Sequence, residues 1–323
     1  MRLLPPLVLL LLAPFVGEYL LGNMPPRPLE AAVAFVPLAL LYGGGALLVR
    51  EVARRLGRGY PTMLGLAVAY GLIEEGIVIQ TLFNRDFLGL GLLEHGWVPA
   101  LGTSIVWTPY VVGIHVVWSI LVPIVLTEHL FPAHAATPWL RLPGSIGAGL
   151  VYLAGMVVIG LGTYVTYGFV APAPQLVAVV VLAVACVVAA LLLPRPKQRD
   201  GRAPGPAQVL VVALLCGSAH VLSQYLPSSV PAPVATLVMA LAVGTAALVL
   251  LRGARRPGWT SVHTLSAVAG ALLTYAWTGF VVQVGVHGTT PAGLAAQMVY
   301  VALAGALLAL AWRQLPPAQA PRQ

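Results

Sequence analysis

The chain has 323 residues, of which 59% are hydrophobic and only 8% are charged, and its formal net charge is +8. A soluble globular domain carries about 25% charged residues, so this composition excludes a soluble enzyme and indicates an integral membrane protein. The net charge comes from basic residues in the connections between apolar segments, which argues against a nucleic acid as partner.

Ten apolar segments are long enough to cross a bilayer as helices, which requires about 20 residues each. The segments are continuously apolar and do not alternate with polar residues, so a transmembrane β-barrel is not expected. The predicted fold class is all-α, a polytopic transmembrane helical bundle. The ten predicted spans are residues 5–22, 31–49, 61–82, 105–128, 146–169, 175–193, 207–226, 232–251, 261–283 and 292–312.

The basic residues predict the orientation of these spans. Of the 17 basic residues, 15 fall at the ends of the chain or in every second connection, and only Arg27 and Arg85 lie on the other side. Positively charged residues stay in the cytoplasm, so we predict that both termini are cytoplasmic and that the protein lies in the cell membrane. Glu128, at the cytoplasmic end of span four, is interpreted as interfacial.

A linker rich in Pro, Gly and Arg divides the chain at residues 194–207. Such a composition is typical of a flexible connection. We therefore predict a six-span half over residues 1–193, which holds the polar residues of interest, and a four-span half over residues 208–323. The expected partners are membrane lipids.

The first two spans contain one acid and a glycine cluster. Glu18 lies near the outer end of span one, and an ionisable group in a span is costly and normally faces a partner or a cavity. We interpret Glu18 as structural or as a partner that supports a nearby site. In span two, Gly43, Gly44 and Gly45 are expected to let a neighbouring backbone approach closely, since small residues favour such contacts.

Two adjacent glutamates occupy the outer half of span three, in the stretch YGLIEEGIVIQTLFN. Helical spacing puts Glu74 on one face with Tyr70 and Thr81 and turns Glu75 about 100° away, so the two should not reach the same partner. Two adjacent carboxylates do not both ionise cheaply in a low dielectric. We therefore expect Glu74 to face a polar cavity and Glu75 to be a neutral acid held in helix packing.

Spans four and seven add two histidines at the same depth as Glu74. His115 lies about ten residues from the outer edge of span four, and Ser119 follows on the same helical face. His220 and Gln224 share a face of span seven in the same way. A lone buried histidine is usually a packing residue, but ionisable groups from several helices at one depth favour a functional site.

Two kinds of chemistry fit such a set of residues. A carboxylate and an imidazole can activate water directly, while a second imidazole and an amide stabilise an oxyanion. Zinc requires three protein ligands and an open position, which Glu and two His can also supply. Because no H-E-x-x-H motif is present, we predict that no metal and no other cofactor is used.

The order of these residues resembles the CAAX-protease and bacteriocin-processing (CPBP) superfamily of membrane proteases. Its pattern is Glu-Glu-x-x-x-Arg, Phe-x-x-x-His and His-x-x-x-Asn, and the matching positions are Glu74 with Glu75, His115, and His220 with Gln224. The resemblance implies an intramembrane endopeptidase. It also implies that Glu74 and His115 activate water and that His220 and Gln224 bind the oxyanion.

The chain departs from this pattern at three positions and has more spans than the family. Ile79 stands in place of Arg, Val111 in place of Phe, and Gln224 in place of Asn. Two whole spans separate the helices of His115 and His220. The outer-half depth of the site also implies a different substrate side from that of a cytoplasmic prenyl-protein protease.

Three functions remain open from the sequence. The first is a glutamate-type intramembrane hydrolase that cuts a hydrophobic peptide or a lipid-linked substrate, with Glu18, Tyr70 and Ser119 supporting the catalytic residues. The second is a proton-coupled transporter or flippase, with Glu74 or Glu75 as proton carrier. The third is a non-catalytic scaffold. The hydrolase requires Glu74, His115 and His220 to converge within hydrogen-bond reach of one water, and a structure with these side chains on different faces would remove this function.

Overall fold

The computed structural model describes residues 3–315 and is almost entirely helical. Arg2 and Arg322, which the sequence assigns to the cytoplasmic side, lie outside the described residues. Nine of the described helices are long and apolar enough to cross a membrane, and α1 is a shorter apolar helix, so the predicted all-α bundle is confirmed. The helices are α1 Leu4–Tyr19, α2 Pro28–Arg55, α3 Tyr60–Val78, α4 Trp107–Leu130, α5 Leu142–Tyr167, α6 Ala173–Leu192, α7 Pro206–Gln224, α8 Ala232–Gly253, α9 Ser261–His287 and α10 Pro291–Arg313.

The connection between α3 and α4 is the longest on the predicted outer side. It contains a 3-10 turn at Phe87–Gly89 and a short antiparallel pair of strands, β1 Trp97–Val98 and β2 Thr103–Ser104. Gly102 has a φ of 61°, which only glycine adopts at low cost and which allows the chain to reverse between the strands. The connection before α7 is irregular from Leu193 to Gly205, where a linker was predicted.

Burial separates the core helices from those that face lipid. The apolar parts of α4 and α9 are the most buried of the spans, whereas α5, α6, α8 and α10 are mostly exposed. Exposed apolar faces of this kind match the hydrocarbon of a bilayer. The core helix α4 therefore has neighbours on several sides, which is why residues from α1, α2, α3 and α7 can all meet its polar side chains.

The glycines of α2 serve close packing, as the sequence predicts. The helix runs through them without a break. A Cβ atom on Gly43 would lie 2.3 Å from the carbonyl oxygen of Leu10, and one on Gly45 would lie 2.2 Å from the ring of Tyr70. The absence of side chains at these positions brings α1 against α2 and lets the Tyr70 ring lie against the helix.

We expect Gly45→Ala to destabilise the protein by about 1–3 kcal/mol, which is typical of overpacking in a well-packed core. Gly149→Ala is the matched control, because a Cβ at that helical position meets nothing within 4 Å. Thermal melting of both variants in the same detergent provides the comparison. Equal melting temperatures for the two variants would contradict the close contact between α2 and Tyr70.

The orientation of the bundle is a separate prediction. Reporter fusions after residue 90 and after residue 200 should place the first outside the cell and the second in the cytoplasm, because the second follows a cluster of basic residues. The opposite result at either position would overturn the predicted orientation.

Candidate functional site

Four of the helices contain a segment of π-helix. π-helical turns are rare and occur mostly as local features at functional sites, because the extra residue in the turn redirects the side chains that follow. The segments are Phe15–Tyr19 in α1, Ala39–Gly43 in α2, Glu74–Val78 in α3 and His115–Leu121 in α4. Together they carry the polar side chains Glu18, Tyr42, Glu74, Glu75, His115 and Ser119.

The imidazole of His115 lies between the two adjacent glutamates. Its Nε2 atom is 2.6 Å from Oε1 of Glu75, and its Nδ1 atom is 3.2 Å from Oε2 of Glu74. All three side chains are buried. The prediction that Glu74 and Glu75 cannot share a partner is therefore wrong. The imidazole offers a nitrogen on each edge, and the π-helical turn allows both carboxylates to reach it.

The carboxylate of Glu75 is held from a second side. The hydroxyl of Thr81 donates a hydrogen bond to its Oε2 atom, and the indole Nε1 of Trp107 donates to the Thr81 hydroxyl at 3.1 Å. The sequence placed Thr81 on the face of Glu74, which is wrong. The helix ends before Thr81, and Gln80 adopts a left-handed φ of 56°, which turns Thr81 towards Glu75.

Glu74 has fewer partners than Glu75. Its Oε2 atom is buried and makes no hydrogen bond among the described residues, apart from the 3.2 Å approach to His115. The hydroxyl of Tyr70, one helical turn earlier, is also buried and lies beside Glu74, without a well-aligned hydrogen bond among the described residues. The cluster thus offers an acceptor on Glu74 and a donor on Tyr70 for a further group. The predicted cavity beside Glu74 stays a prediction.

Two further side chains that the sequence selected lie beside this cluster. The Oγ atom of Ser119 is 3.0 Å from Nδ1 of His115. Glu18 accepts hydrogen bonds from the hydroxyl of Tyr42 and, at 2.8 Å, from Nδ2 of Asn23. The ring of Tyr42 lies 5.7 Å from that of His115. Glu18 is therefore joined to the cluster through Tyr42 and to the outer loop through Asn23.

This geometry makes the cluster an acid–base unit. A contact of 2.6 Å between Nε2 of His115 and a carboxylate oxygen requires a proton between them. Buried charges are tolerated when they are paired and hydrogen-bonded, and an imidazolium between two carboxylates meets that condition.

The same three side chains are also of the types that bind metal ions. Glu74, Glu75 and His115 can each offer one ligand atom, and these atoms lie within 4.8 Å of one another. A catalytic zinc site has three protein ligands and an open position. The two carboxylates contact opposite edges of the imidazole, however, so only one of them lies beside each ring nitrogen. This arrangement fits direct hydrogen bonding better, and the absence of a metal stays a prediction.

His220 and Gln224 do not join the cluster. The Nε2 atom of His220 is 3.1 Å from the backbone oxygen of Tyr110, and its ring stacks on that of Tyr110 at 5.9 Å. His220 also lies against Gly113, where an added Cβ would be 2.5 Å from its Nε2. Gly113 and His115 are about 200° apart around α4, so the two histidines lie on opposite sides of that helix. The expected convergence of Glu74, His115 and His220 on one water is therefore wrong, and a hydrolase that uses all three side chains together is excluded.

A second buried polar cluster, which the sequence did not predict, lies at the predicted cytoplasmic ends of α2 and α4. Arg50 is completely buried and contacts Glu128 at 2.9 Å and Glu51 at 2.8 Å. Arg54 pairs with Glu128 at 2.6 Å, and the guanidinium of Arg50 lies 3.2 Å above the ring of Trp139. Glu128 lies near the end of α4, as the interfacial interpretation requires, but its side chain is 1% exposed and is paired inside the protein.

This second cluster also fixes the connection that follows α4. The Nη2 atom of Arg50 donates hydrogen bonds to the backbone oxygens of His134, Ala135 and Thr137 at 3.0–3.1 Å. The carboxylate of Glu51 accepts hydrogen bonds from the backbone nitrogens of Trp139 and Leu140. The signal in the sequence was the occurrence of opposite charges at matching depth in two spans.

Comparison with protein families gives one match over nearly the whole chain. A family model described as an uncharacterized membrane protein family matches residues 7–318. Comparison with curated proteins and with solved structures gives no match. The helical bundle, the buried Glu–His–Glu cluster and the extent of the match agree with a multi-pass membrane protein. The chain belongs to this membrane protein family.

Proposed function

We propose that the protein is an intramembrane hydrolase and that its catalytic base is Glu74, paired with His115. The observation that carries the proposal is the His115 imidazole held between Glu74 and Glu75, at 3.2 and 2.6 Å. A carboxylate and an imidazole in a dry environment are the groups that activate water for attack on a carbonyl. The location of all these residues on π-helical segments adds support.

The two glutamates have different roles in this proposal. Glu75 has both oxygens engaged, by His115 and by Thr81, and therefore orients the imidazole. Glu74 keeps a buried oxygen without a hydrogen bond among the described residues and therefore takes the proton. This division agrees with the expectation that one acid is functional and the other is held in packing.

The proposed reaction is the hydrolysis of an amide or ester bond in a substrate within the membrane. Glu74 accepts a proton from water, and the hydroxide attacks the carbonyl carbon to give a tetrahedral intermediate. Glu74 then returns the proton to the leaving nitrogen or oxygen as the bond to carbon breaks. His115 holds compensating positive charge beside the carboxylate through both steps.

The oxyanion of that intermediate needs a hydrogen-bond donor. His220, one of the two residues implied by the CPBP resemblance, contacts the backbone oxygen of Tyr110, on the side of α4 away from His115. The buried hydroxyl of Tyr70, without a well-aligned hydrogen bond among the described residues, lies on the face of α3 that carries Glu74. Tyrosine hydroxyls serve as oxyanion donors in other enzymes, and we assign this role to Tyr70.

The proposed substrate is a hydrophobic peptide or a lipid-linked molecule. Every residue of the cluster lies in a span, so a substrate must present its scissile bond within the bilayer. The predicted depth in the outer half places that bond towards the outer leaflet. The partial CPBP motif supports a peptide bond, whereas the departures at Ile79 and Val111 leave a lipid-linked bond as the alternative.

This function can be tested by comparing two membrane preparations. One comes from cells that produce the wild type and the other from cells that produce Glu74→Gln. Labelling of new protein N-termini and mass spectrometry of lipids should reveal products that form only with the wild type. The products should persist when a metal chelator is present, because no step of the proposed reaction uses a metal. If the two membranes contain the same protein N-termini and the same lipids, the proposal is overturned.

Proton-coupled transport is the second candidate, and a specific observation favours it. A polar chain joins His287, Asn23, Glu18 and Tyr42 to the neighbourhood of His115 on the outer side. The cytoplasmic side is closed by the cluster around Arg50. A transporter in one of its two access states has the same arrangement, with a polar path from the site to one side of the membrane and a closed path to the other.

The two candidates differ in what the purified protein does alone in a liposome. A transporter should carry protons, so a pH-sensitive dye trapped inside should respond when a pH gradient and candidate solutes are applied. A hydrolase should release a product without any change in internal pH. Loss of dye response in Glu74→Gln, with no hydrolysis product from the wild type, would favour transport. A change in melting temperature alone would favour the scaffold.

A further inference from the structure

Two buried hydrogen-bonding atoms on α7 have no partner among the described residues. They are Nδ1 of His220 and Oε1 of Gln224. His220 is 4% exposed. The two residues are four apart on the helix, so they share one face. They lie on the side of α4 away from His115 and therefore do not belong to the acid–base cluster.

Both of these atoms are hydrogen-bond acceptors. The backbone oxygen of Tyr110 can only accept, so the Nε2 atom of His220, 3.1 Å away, carries the hydrogen. In a neutral imidazole the other nitrogen, Nδ1, is then an acceptor. The buried atom of Gln224 is its amide oxygen. A pair of acceptors is the opposite of an oxyanion site, which consists of donors.

Aromatic rings line the same place. The ring of Tyr110 stacks on His220 at 5.9 Å, and the ring of Tyr225 meets Tyr110 edge-on at 6.4 Å. Tyr225 is half exposed and follows the last residue of α7, and the neighbouring Leu222 is also exposed. The faces of tyrosine rings attract cations. The site therefore combines two acceptors with the half-exposed ring of Tyr225 at the predicted headgroup level of the outer leaflet.

We propose that His220 and Gln224 bind a primary ammonium group, and that its source is the headgroup of an aminophospholipid such as phosphatidylethanolamine. An ammonium group has three N–H donors, enough for both acceptors. The lipid-exposed position of Leu222 and Tyr225 favours a lipid over a soluble amine. This assignment is independent of the proposed hydrolysis.

The charges on the predicted outer side also favour a cation. Acidic residues outnumber basic ones there, so the local field does not repel an ammonium group. The basic residues are Arg27 and Arg85, and the acidic residues are Glu30, Asp86 and Glu94. Arg27 is moreover paired with Glu30 at 2.8 Å.

Binding of defined lipids to the purified full-length protein tests the assignment. Phosphatidylethanolamine and phosphatidylcholine are titrated in mixed micelles, with bound lipid counted by native mass spectrometry. The choline headgroup keeps the positive charge but has no N–H donor, so it isolates the hydrogen bonds. We expect the ethanolamine lipid to bind at least about tenfold more tightly, because hydrogen bonds to charged groups contribute about 1.5–3 kcal/mol each.

Two substitutions of Gln224 should change lipid binding in opposite directions. Gln224 is half-buried and therefore tolerates substitution better than His220. Gln224→Leu removes one acceptor and should weaken binding of the ethanolamine lipid about tenfold. Gln224→Glu adds a negative charge and should strengthen it. Gln208→Leu, the same change at the cytoplasmic end of α7, is the control and should leave binding unchanged.

Three results would overturn the assignment. Equal binding of the two lipids to the wild type would mean that no donor is recognised. Unchanged binding in Gln224→Leu would mean that a rotated Gln224 amide, with its nitrogen towards His220, satisfies both groups internally. Free ethanolamine that displaces the lipid at equal concentration would assign the site to soluble amines.

Discussion

Glu74→Gln is expected to lower the rate of hydrolysis about 10²–10⁴-fold, the usual contribution of a general base. Glutamine has nearly the same shape, but its amide cannot take a proton from water. Because Oε2 of Glu74 makes no hydrogen bond among the described residues, the substitution should leave folding and membrane insertion intact. Product formation and thermal melting of the purified variant provide the measurement.

Glu75→Gln is the matched control for this prediction. The carboxylate of Glu75 accepts from Thr81 and contacts His115, and the oxygen of a glutamine amide can still accept one of these hydrogen bonds. We expect a smaller loss of rate than for Glu74→Gln, because Glu75 positions the imidazole but takes no proton from water. If Glu74→Gln melts far below the wild type while Glu75→Gln does not, the roles of the two glutamates are reversed.

Arg50→Met is expected to cause the largest loss of stability of any change considered for this protein. The substitution leaves the buried carboxylates of Glu51 and Glu128 with fewer partners and removes three hydrogen bonds to backbone oxygens. Breaking a buried ion pair by removing one partner costs about 3–5 kcal/mol. Thermal melting in detergent, with insertion checked separately, measures the effect.

Arg55→Met separates this effect from a general loss of positive charge. Arg55 is 40% exposed, lies 4.0 Å from Glu51 and donates hydrogen bonds to the backbone oxygen of Leu140 and to the hydroxyl of Ser145. Exposed pairs of this kind contribute about 0–1 kcal/mol, so we expect its melting temperature to fall far less than that of Arg50→Met. If Arg50→Met melts like Arg55→Met, the cytoplasmic cluster does not hold α2 against α4, and the proposed seal on that side is lost with it.

Much of the fold and part of the site could be predicted from the sequence. Hydropathy is a strong signal because every span needs about 20 apolar residues, and all ten predicted spans correspond to helices. The contact between Glu74 and His115 also follows from depth, since two ionisable groups at one level of a bilayer reduce their cost by pairing.

The direction of each side chain could not be predicted in the same way. An apolar sequence contains no signal for a π-helical turn, so the joint contact of Glu74 and Glu75 with His115 was missed. The depth of a residue in the bilayer does not determine on which side of α4 it lies. For this reason His220 was predicted beside His115, whereas it lies on the opposite side of the helix. Arg50 was missed because a basic residue at the end of a span is normally read as a topology signal.

Isotope incorporation from water tests the central claim most directly. The purified wild-type protein is incubated in ¹⁸O-labelled water with the membrane extract in which its products appear, and the products are analysed by mass spectrometry. If Glu74 and His115 activate water, each new carboxyl group carries one ¹⁸O atom, and Glu74→Gln forms no labelled product above background. Products without ¹⁸O, or labelled products formed equally by Glu74→Gln, would contradict the account.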